Sequence, residues 1–265
     1  MIHEIVSLIL ADAFWDTEPA MSNADYVSLS LASALQRSMD MAANNMANAS
    51  TAGYKTMQPL FEAVQPEGAE DGATSYVEDR GTYLDASQGA FIATGNPLDI
   101  ALSGPGWLSY QTDAGATAYG RDGRLTVNSD GQLSTLAGAP VLNPGGAPIT
   151  LPQALGTDVT ISRDGSITDA EGAELGQIGI FRMPDVDMLV PIGNGLYLYG
   201  DAGAEIGPGT ETELAQGFIE QSNVRPVIEL TRLMDIQRAY ERAAKLMGDS
   251  NDLTRQAIQR LGRVV

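Results

Sequence analysis

Apolar positions in the N-terminal part of the chain recur every three or four residues. This spacing places them on one side of a helix that we expect to run from about Asp25 to Asn48. Ser22 or Asn23 precedes the segment as a candidate N-cap, and Gly53 follows it as a natural stop. The predicted apolar stripe consists of Leu31, Leu35, Met39, Ala42 and Met46.

A second stripe near the C-terminus predicts a longer helix from Val227 to about Arg263, with Pro226 in its first turn. Steps of three and four alternate along it, which is typical of coiled coils and helix bundles. Three of its ten positions are polar, and Gly248 with residues 249–252 is expected to weaken the helix midway. The stripe consists of Leu230, Leu233, Gln237, Tyr240, Ala244, Met247, Asn251, Thr254, Ile258 and Leu261.

Between the two helices, apolar and polar residues alternate in short runs separated by Asp-Gly pairs. Residues 124–128 and 132–136 flank Asp130-Gly131, which predicts a hairpin. Residues 158–162 and 166–168 flank Asp164-Gly165 in the same way, and residues 195–200 predict another strand. We therefore expect an all-β central region.

The predicted fold class is α+β, with long N- and C-terminal helices paired as a coiled-coil-like stalk and a central all-β domain. The expected organisation is an extension at 1–20, a helix and linker at 21–60, the β-rich domain at 61–222 and the C-terminal helix at 223–265. Met21 is a plausible alternative start. A two-helix stalk still exposes an apolar side, so we expect that side to contact neighbouring molecules.

Charge is distributed unevenly along the chain. Residues 61–222 carry five Lys or Arg and 23 Asp or Glu, a net charge of −18, whereas residues 223–265 carry a net charge of +3. The acidic middle would repel phosphate backbones, which argues against nucleic-acid binding. No apolar run is long enough to span a membrane, and no Lys or Arg precedes the short apolar stretch 5–10, as a cleaved signal peptide would require.

The sequence favours no catalytic or metal site. Cys is absent and His3 is the only histidine, which argues against thiolate and histidine chemistry. Two acid pairs, Asp122 with Asp130 and Asp164 with Asp169, are candidates for acid–base catalysis or calcium binding. Three of these four residues directly precede a Gly in a hairpin context, and turn formation explains them better. We therefore expect no enzyme activity and no cofactor.

Several motifs resemble those of the flagellar rod and hook protein family, and they occur in that family's order. Residues 43–55 resemble its ANNxANxxTxGFK signature, with Tyr54 in place of Phe, and residues 94–102 resemble TGNPLDVAI. Residues 217–224 resemble the GxLExSNV segment before the C-terminal helix, and residues 237–241 its QRAYE core. Further matches are residues 88–89, 104–107, 121–125, 130–133 and 193–196.

The resemblance implies a structural subunit of the flagellar basal-body rod, which transmits torque from the motor to the hook. It implies export through the flagellar type III apparatus without a cleaved signal, and assembly in the periplasm with other rod proteins and copies of itself. Terminal helices would form the inner tube, with the β domain outside. A secreted β-rich binding module or adhesin is the alternative, but it needs no long amphipathic helix at each end.

We expect the assembly interface to comprise the apolar positions of both stripes together with three asparagines. Asn44, Asn45 and Asn48 either bond to a neighbouring backbone or cap their own helix. Gly53 supplies a turn, whereas Tyr54 and Lys55 pack either on the β domain or on a neighbour. Tyr240 is expected to pack with its hydroxyl in a hydrogen bond, in the interface or within its own chain.

Overall fold

The computed structural model describes residues 23–64, 75–152, 159–201 and 203–261. The expected extension 1–20, the alternative start Met21 and the candidate cap Ser22 lie outside these residues. The described residues form two compact units. One contains residues 23–39, 61–64, 75–80 and 234–261, and the other residues 40–60, 81–152, 159–201 and 203–233.

Both predicted helices are present. Helix α1 spans Asn23–Ala47 and helix α2 spans Pro226–Leu261, each within two residues of its predicted ends. At about 1.5 Å per residue they are roughly 37 and 54 Å long. Helix α2 continues through Gly248 without the expected break.

The prediction that the two helices pair as a coiled-coil-like stalk is wrong. Among the described residues the two helices form no extended pair. The more buried side of α2 is one position away from the predicted stripe and carries small or polar residues at several points, including Glu229, Ala239 and Ala243. Such a side lacks the large apolar knobs that a coiled coil inserts into its partner. Leu230, Tyr240 and Ile258 of the predicted stripe are exposed.

Helix α1 packs instead beside a two-stranded sheet that the sequence did not predict. Strands β1 (Met57–Val64) and β2 (Tyr76–Leu84) form this sheet. The backbone N–H of Val77 donates to Ser30 Oγ at 3.3 Å, and Arg37 Nε lies 3.3 Å from Asp79 Oδ2. Ser30 and Arg37 lie outside the predicted stripe of α1, so these contacts attach the sheet to a different side of the helix.

The described part of the central region consists of β-strands, as predicted, apart from one 3₁₀ helix at Val186–Met188. Its remaining strands are β3 (Phe91–Ala93), β4 (Ile100–Ser103), β5 (Gly106–Gln111), β6 (Thr117–Gly120), β7 (Leu125–Val127), β8 (Leu133–Thr135), β9 (Val159–Ile161), β10 (Ser166–Asp169), β11 (Glu174–Gln177), β12 (Ile180–Arg182), β13 (Leu189–Gly193), β14 (Leu196–Tyr199), β15 (Gly207–Pro208), β16 (Glu213–Gln216) and β17 (Phe218–Glu220).

The largest sheet has six strands in the order β13-β14-β6-β5-β12-β15, and a three-stranded sheet has the order β11-β10-β9. The pairs β16-β4, β17-β3 and β7-β8 complete the described sheets. Pairing is antiparallel in all of them. The two predicted hairpins, β7-β8 and β9-β10, and the predicted strand β14 are confirmed.

Two apolar clusters hold this β-rich part together. The larger one contains fully buried residues such as Ile100, Leu133 and Ile167. In the smaller one, the rings of Trp107 and Tyr197 meet edge to face with centroids 5.6 Å apart. Strand β17 lies next to β4 at the margin of this core, and it leads directly to α2.

Candidate functional site: a polar junction and the exposed helix surfaces

Four parts of the chain that are distant in the sequence meet where α1 ends and α2 begins. We call their meeting point the junction, and it consists of Asn45, Tyr54–Met57, Asp85–Gly89, Arg121 and Glu220–Asn223. The chain enters and leaves the β domain here, because the N–H of Gly53 donates to the carbonyl of Glu220 at 2.9 Å. The N–H of Asn223 donates to the carbonyl of Tyr54 at 3.4 Å.

Gly53 lets the chain turn into the junction. Its φ of +68° lies in the left-handed region that side chains disfavour. A Cβ atom at this position would also lie 2.3 Å from the carbonyl carbon of Arg121. The backbone therefore approaches so closely that only glycine fits.

A buried group of three charged side chains forms the centre of the junction. Lys55 Nζ lies 2.7 Å from Glu220 Oε1 and donates a second hydrogen bond to the carbonyl of Ser87 at 2.6 Å. Arg121 Nη1 lies 3.5 Å from Glu220 Oε2, and the Arg121 side chain also bonds to the carbonyls of Gly104 and Gly106. Lys55 and Glu220 are fully buried and Arg121 almost so, which makes this a salt bridge withdrawn from water.

The electrostatics of the cluster follow from two cations sharing one carboxylate. Burial and the positive charge of Arg121 lower the pKa of Lys55, although Glu220 acts in the opposite direction. Burial also lowers the pKa of Arg121. Glu220 Oε1 accepts an additional hydrogen bond from the N–H of Gly89 at 2.8 Å, which fixes the carboxylate between its partners.

Asn45 and Tyr54 attach the end of α1 to the start of β1. The side chain of Asn45 is buried, donates to the carbonyl of Met57 at 2.8 Å and accepts from the N–H of Met57 at 3.0 Å. The Tyr54 hydroxyl donates to Asn44 Oδ1 at 2.8 Å and lies 3.1 Å from Asn45 Oδ1. Burial, followed by nearby Tyr197 and Glu229, raises the pKa of Tyr54.

Asn223 attaches the segment before α2 to the β domain, as Asn45 attaches the end of α1 to β1. Its Oδ1 accepts from the N–H and the hydroxyl of Thr56, both at 2.8 Å. Its Nδ2 donates to the carbonyl of Asp85 at 2.8 Å and to that of Ser87 at 3.1 Å. One amide therefore ties the start of the C-terminal segment to the residue before β1 and to the segment after β2.

The other two asparagines of the motif make local contacts. Asn48 donates to the carbonyl of Asn44 at 2.9 Å and accepts from the Thr51 hydroxyl at 3.2 Å. Asn44 is exposed apart from its bond to Tyr54. Of the three, only Asn45 reaches a distant strand, because it alone lies on the buried side of α1.

Sequence reasoning missed the partners of Lys55. Glu220, Arg121 and Asn223 were recognised as parts of motifs, but no charge or hydrogen-bond role was assigned to them. A charged residue inside a mainly apolar segment, as in Phe218-Ile219-Glu220, is the available signal, since such a residue needs a buried partner. The identity of that partner, 165 residues away for Lys55, depends on topology.

The predicted stripe residues are divided between half-buried and exposed positions. On α1, Ala42 is buried, Leu31 is exposed, and Leu35, Met39 and Met46 are half-buried. On α2, Leu233 and Met247 are half-buried, whereas the others with described side chains are exposed: Leu230, Gln237, Tyr240, Ala244 and Ile258. Asn251, Thr254 and Leu261 are not among the residues whose side chains the structure describes.

The aspartates considered for catalysis act in turns. Asp122 accepts from the guanidinium of Arg124 at 2.8 and 2.6 Å. Asp164 accepts from the N–H of Ser166 at 3.1 Å, and Asp169 from that of Ala173 at 2.7 Å. The N–H of Asp130 donates to Asn128 Oδ1 at 3.0 Å. Within the described ranges, no three His, Cys, Asp or Glu residues are grouped to hold a metal ion, and neither helix is suited to crossing a membrane.

Comparison with known proteins finds three matched segments, which together contain the three charged residues of the junction. Residues 26–55 match a family described as flagella basal body rod protein, and residues 101–169 match the D1 domain of the flagellar hook protein FlgE/F/G family. Residues 215–260 match the C-terminal family of flagellar basal body rod FlgEFG proteins. Lys55, Arg121 and Glu220 each belong to a different one of these segments.

Whole-chain relatives decide the family. Flagellar basal-body rod protein FlgF of Caulobacter vibrioides is 41% identical over 249 residues, which cover 92% of this chain and all of that protein. This chain belongs to the flagellar basal-body rod protein family. FlgF of Mesorhizobium japonicum is 36% identical over 91% of this chain and 99% of its own length.

Within the rod family, the sequence most resembles FlgF, and its short middle region and the TGNPLD wording of residues 94–99 also favour FlgF over other rod proteins. FlgG of Agrobacterium fabrum follows at 32% identity, over 83% of this chain and 92% of its own length. FlgG was the expected competitor. The chain is a structural subunit of the flagellar basal-body rod.

Proposed function

We propose that this rod subunit assembles through the apolar side chains that its two helices leave exposed. The interface we propose combines the stripe on α1, the stripe on α2 and the asparagine motif that follows α1. No reaction is required for this role, since torque is transmitted by many modest contacts along a stiff tube. The subunit accordingly works without enzymatic activity and without a cofactor.

The observation that carries the proposal is the exposure of large apolar residues along α2. Leu230 is 53% exposed and Ile258 is 63% exposed. On α1, Leu29 and Leu31 are also exposed. Burying apolar area in an assembly contributes roughly 25 cal/mol per Å², so these side chains favour contact with other molecules.

Partners and location follow from the relatives named as basal-body rod proteins. We propose contacts with other rod subunits and with further copies of this chain, in the basal body. The finer proposal is export by the flagellar type III apparatus without a cleaved signal and assembly in the periplasm, at the proximal part of the rod. Part of each terminal segment becomes ordered on assembly, since isolated helices are marginal in water.

The proposal is tested by replacing exposed apolar residues of α2 in a bacterium that lacks its own copy of this subunit. We expect Leu230→Ser combined with Ile258→Ser to abolish motility and incorporation into purified basal bodies. Secretion and the midpoint of thermal unfolding of the purified chain should stay close to those of the native protein, because both side chains are already exposed. The matched control is Leu136→Ser on the β domain, where the side chain is 65% exposed.

Normal motility of the double variant would contradict assembly through this helix. Equal loss of motility in the Leu136→Ser control would contradict it as well, because any exposed leucine would then have the same effect. A native chain that is exported but never recovered in basal bodies would exclude the rod function itself.

A further inference from the structure

One side of α2 combines apolar and cationic side chains in a single exposed row. Met234, Arg238, Arg242, Lys245 and Leu246 follow one another in steps of four, four, three and one, so they share a face of the helix. We call this row the basic face. Asp249, one turn further along, ends it. Glu241 lies at the border of this face, beside Arg238 and Lys245.

The cations of the basic face make only weak contacts within their own chain. Arg242 Nε donates to the carbonyl of Arg238 at 3.1 Å, at an exposed position. Arg238 Nη1 lies 3.8 Å from Asp235 Oδ1, an exposed pair that stabilises the helix only slightly. Among the described residues, neither Arg242 nor Lys245 has a carboxylate within 4.0 Å. Met234 and Leu246 are exposed beside them.

The β domain carries a surface of opposite charge and similar apolar content. Asp185, Asp187 and Met188 precede β13 and are exposed, and Val190 and Ile192 are exposed along it. We call these five residues the acidic patch. Strand β13 lies at an edge of the six-stranded sheet, and within the described part of the chain neither aspartate has a Lys or Arg within 4.0 Å.

The two surfaces agree in length as well as in chemistry. From Met234 to Leu246 the basic face extends about 18 Å along its helix. Strand β13, which carries Val190 and Ile192 of the acidic patch, extends about 16 Å. Contact between two β domains is disfavoured, since residues 61–222 carry a net charge of −18. The basic face therefore offers an acidic neighbour a favourable partner.

We propose that the basic face of one copy docks on the acidic patch of a second copy. Arg238, Arg242 and Lys245 pair with Asp185 and Asp187, while Met234 and Leu246 cover Val190 and Ile192. Such a contact joins two different surfaces, so each copy keeps one of each free and the contact repeats from copy to copy. The proposal rests on the rod function and specifies one of its contacts.

Cross-linking between two singly substituted chains tests this contact directly. The protein has no Cys, so introduced thiols are the only ones present. We mix full-length Arg242→Cys with full-length Asp187→Cys under mild oxidation. The mixed dimer is expected to exceed each same-variant dimer at least five-fold, and 1 M NaCl should reduce its yield. The position control replaces Asp187→Cys by Glu171→Cys, an exposed site elsewhere on the β domain.

A charge exchange provides the second test and identifies the partner. Reversal by Asp185→Lys with Asp187→Lys, or by Arg238→Glu with Arg242→Glu, should reduce self-association of the purified chain at least ten-fold. All four substitutions in one chain should restore it to within about three-fold of the native value. Circular dichroism and the thermal midpoint establish that each variant is folded.

A mixed dimer no more abundant than with the Glu171→Cys control would overturn the proposal. Failure of the fourfold variant to recover self-association would do the same, as would recovery only in the presence of a different rod subunit. These outcomes differ from failure of the rod function, because a native chain that enters basal bodies while the charge exchange has no effect contradicts only this contact.

Discussion

The polar side chains that hold the junction together are buried or half-buried and therefore need hydrogen-bond or charge partners within the protein. Asn45 and Asn223 each satisfy both a donor and an acceptor of a distant backbone, which an amide can do and a charged group cannot. Lys55 and Glu220 share burial with Arg121, so the charges compensate one another only in part. The junction therefore depends on a few side chains that neighbouring residue types cannot replace.

Replacement of Gly53 by alanine should lower the free energy of unfolding by about 3 kcal/mol or more. The new Cβ combines an unfavourable positive φ with overlap against the backbone of Arg121. Chemical denaturation measures the change. Gly95→Ala is the control, since Gly95 has a φ of +72° but no atom near its Cβ position, and it should cost only about 1 kcal/mol. Equal costs at the two sites would show that the close approach is unimportant.

Glu220→Gln should destabilise the protein more than Lys55→Met. The first change leaves two buried cations without their carboxylate, which costs about 3–5 kcal/mol, whereas the second leaves Arg121 beside Glu220. Urea titration of both variants provides the comparison. Arg182→Met breaks a 2.9 Å pair with Glu211 at the surface and should cost less than about 1 kcal/mol. A larger loss for Lys55→Met than for Glu220→Gln would contradict this reasoning.

The sequence identified the residues of the junction better than their roles. Gly53 was expected to supply a turn because glycine after a helix usually does so, and that turn is present. The alternatives for Lys55 could not be separated, because its partner Glu220 is distant in the sequence. Local chemistry indicates that a residue needs a partner, but only topology determines which one.

At the scale of elements, α2 shows that the spacing of large apolar residues can predict a helix and still miss which of its faces is buried. The heptad pattern was chosen to include large apolar residues, yet Ala243 is buried and its neighbour Ala244 is exposed. Small residues permit close packing and contribute little to an apolar pattern. The existence and extent of α2 were therefore predictable, whereas its inward face was not.

A pair of adjacent alanines tests this register. Ala243→Leu should lower the free energy of unfolding by about 1–3 kcal/mol, because the larger side chain must enter an already packed surface. Ala244→Leu makes the same substitution at an exposed position of the same helix, so the change in helix propensity is the same. It should therefore alter the free energy of unfolding little. Thermal unfolding followed by circular dichroism distinguishes the two. A greater loss of stability for Ala244→Leu would indicate that the predicted stripe, and not the side with Ala243, is the buried face of α2.

The hairpins β7-β8 and β9-β10 were predictable because alternation and an Asp-Gly turn coincide in them. The sheet of β1 and β2 was not, since its strands lack a regular alternation of buried and exposed positions. Its contacts with α1 through Ser30 and Arg37 were therefore not predicted either. The error in the predicted stalk came from pairing the two helices by their periodicity alone, since the more buried side of α2 is not the predicted stripe.

For the whole molecule, buried tyrosines should make stability decline at alkaline pH. Burial raises the pKa of Tyr197 to about 12, and burial also raises that of Tyr110 well above 10.0. The unfolded chain loses these phenolic protons near pH 10 and the folded chain retains them, so the free energy of unfolding falls as pH rises from 10 to 12. Each tyrosine contributes at most about 1.4 kcal/mol per pH unit.

Urea denaturation between pH 9 and pH 12 measures this decline. Lys55 has the opposite effect on stability, because its pKa is lower in the folded protein than the 10.5 of an unfolded lysine. Its contribution to the free energy of unfolding therefore rises with pH until about pH 10.5. The steepest decline is expected above that pH. Tyr197→Phe should reduce the slope, since it removes one of the groups that ionise only after unfolding. An unchanged slope in this variant would exclude Tyr197 as a source of the decline.

Because the chain enters and leaves its β domain at one place, the length of the intervening segment has little influence on where the helices emerge. Gly53 and Glu220 lie side by side although 166 residues separate them from each other, counted between their neighbours 54 and 219. Such a layout separates the two attachment points from the far side of the domain. Insertions in surface turns remote from Lys55, Arg121 and Glu220 therefore leave both points in place, which offers a route to displaying foreign peptides on this subunit.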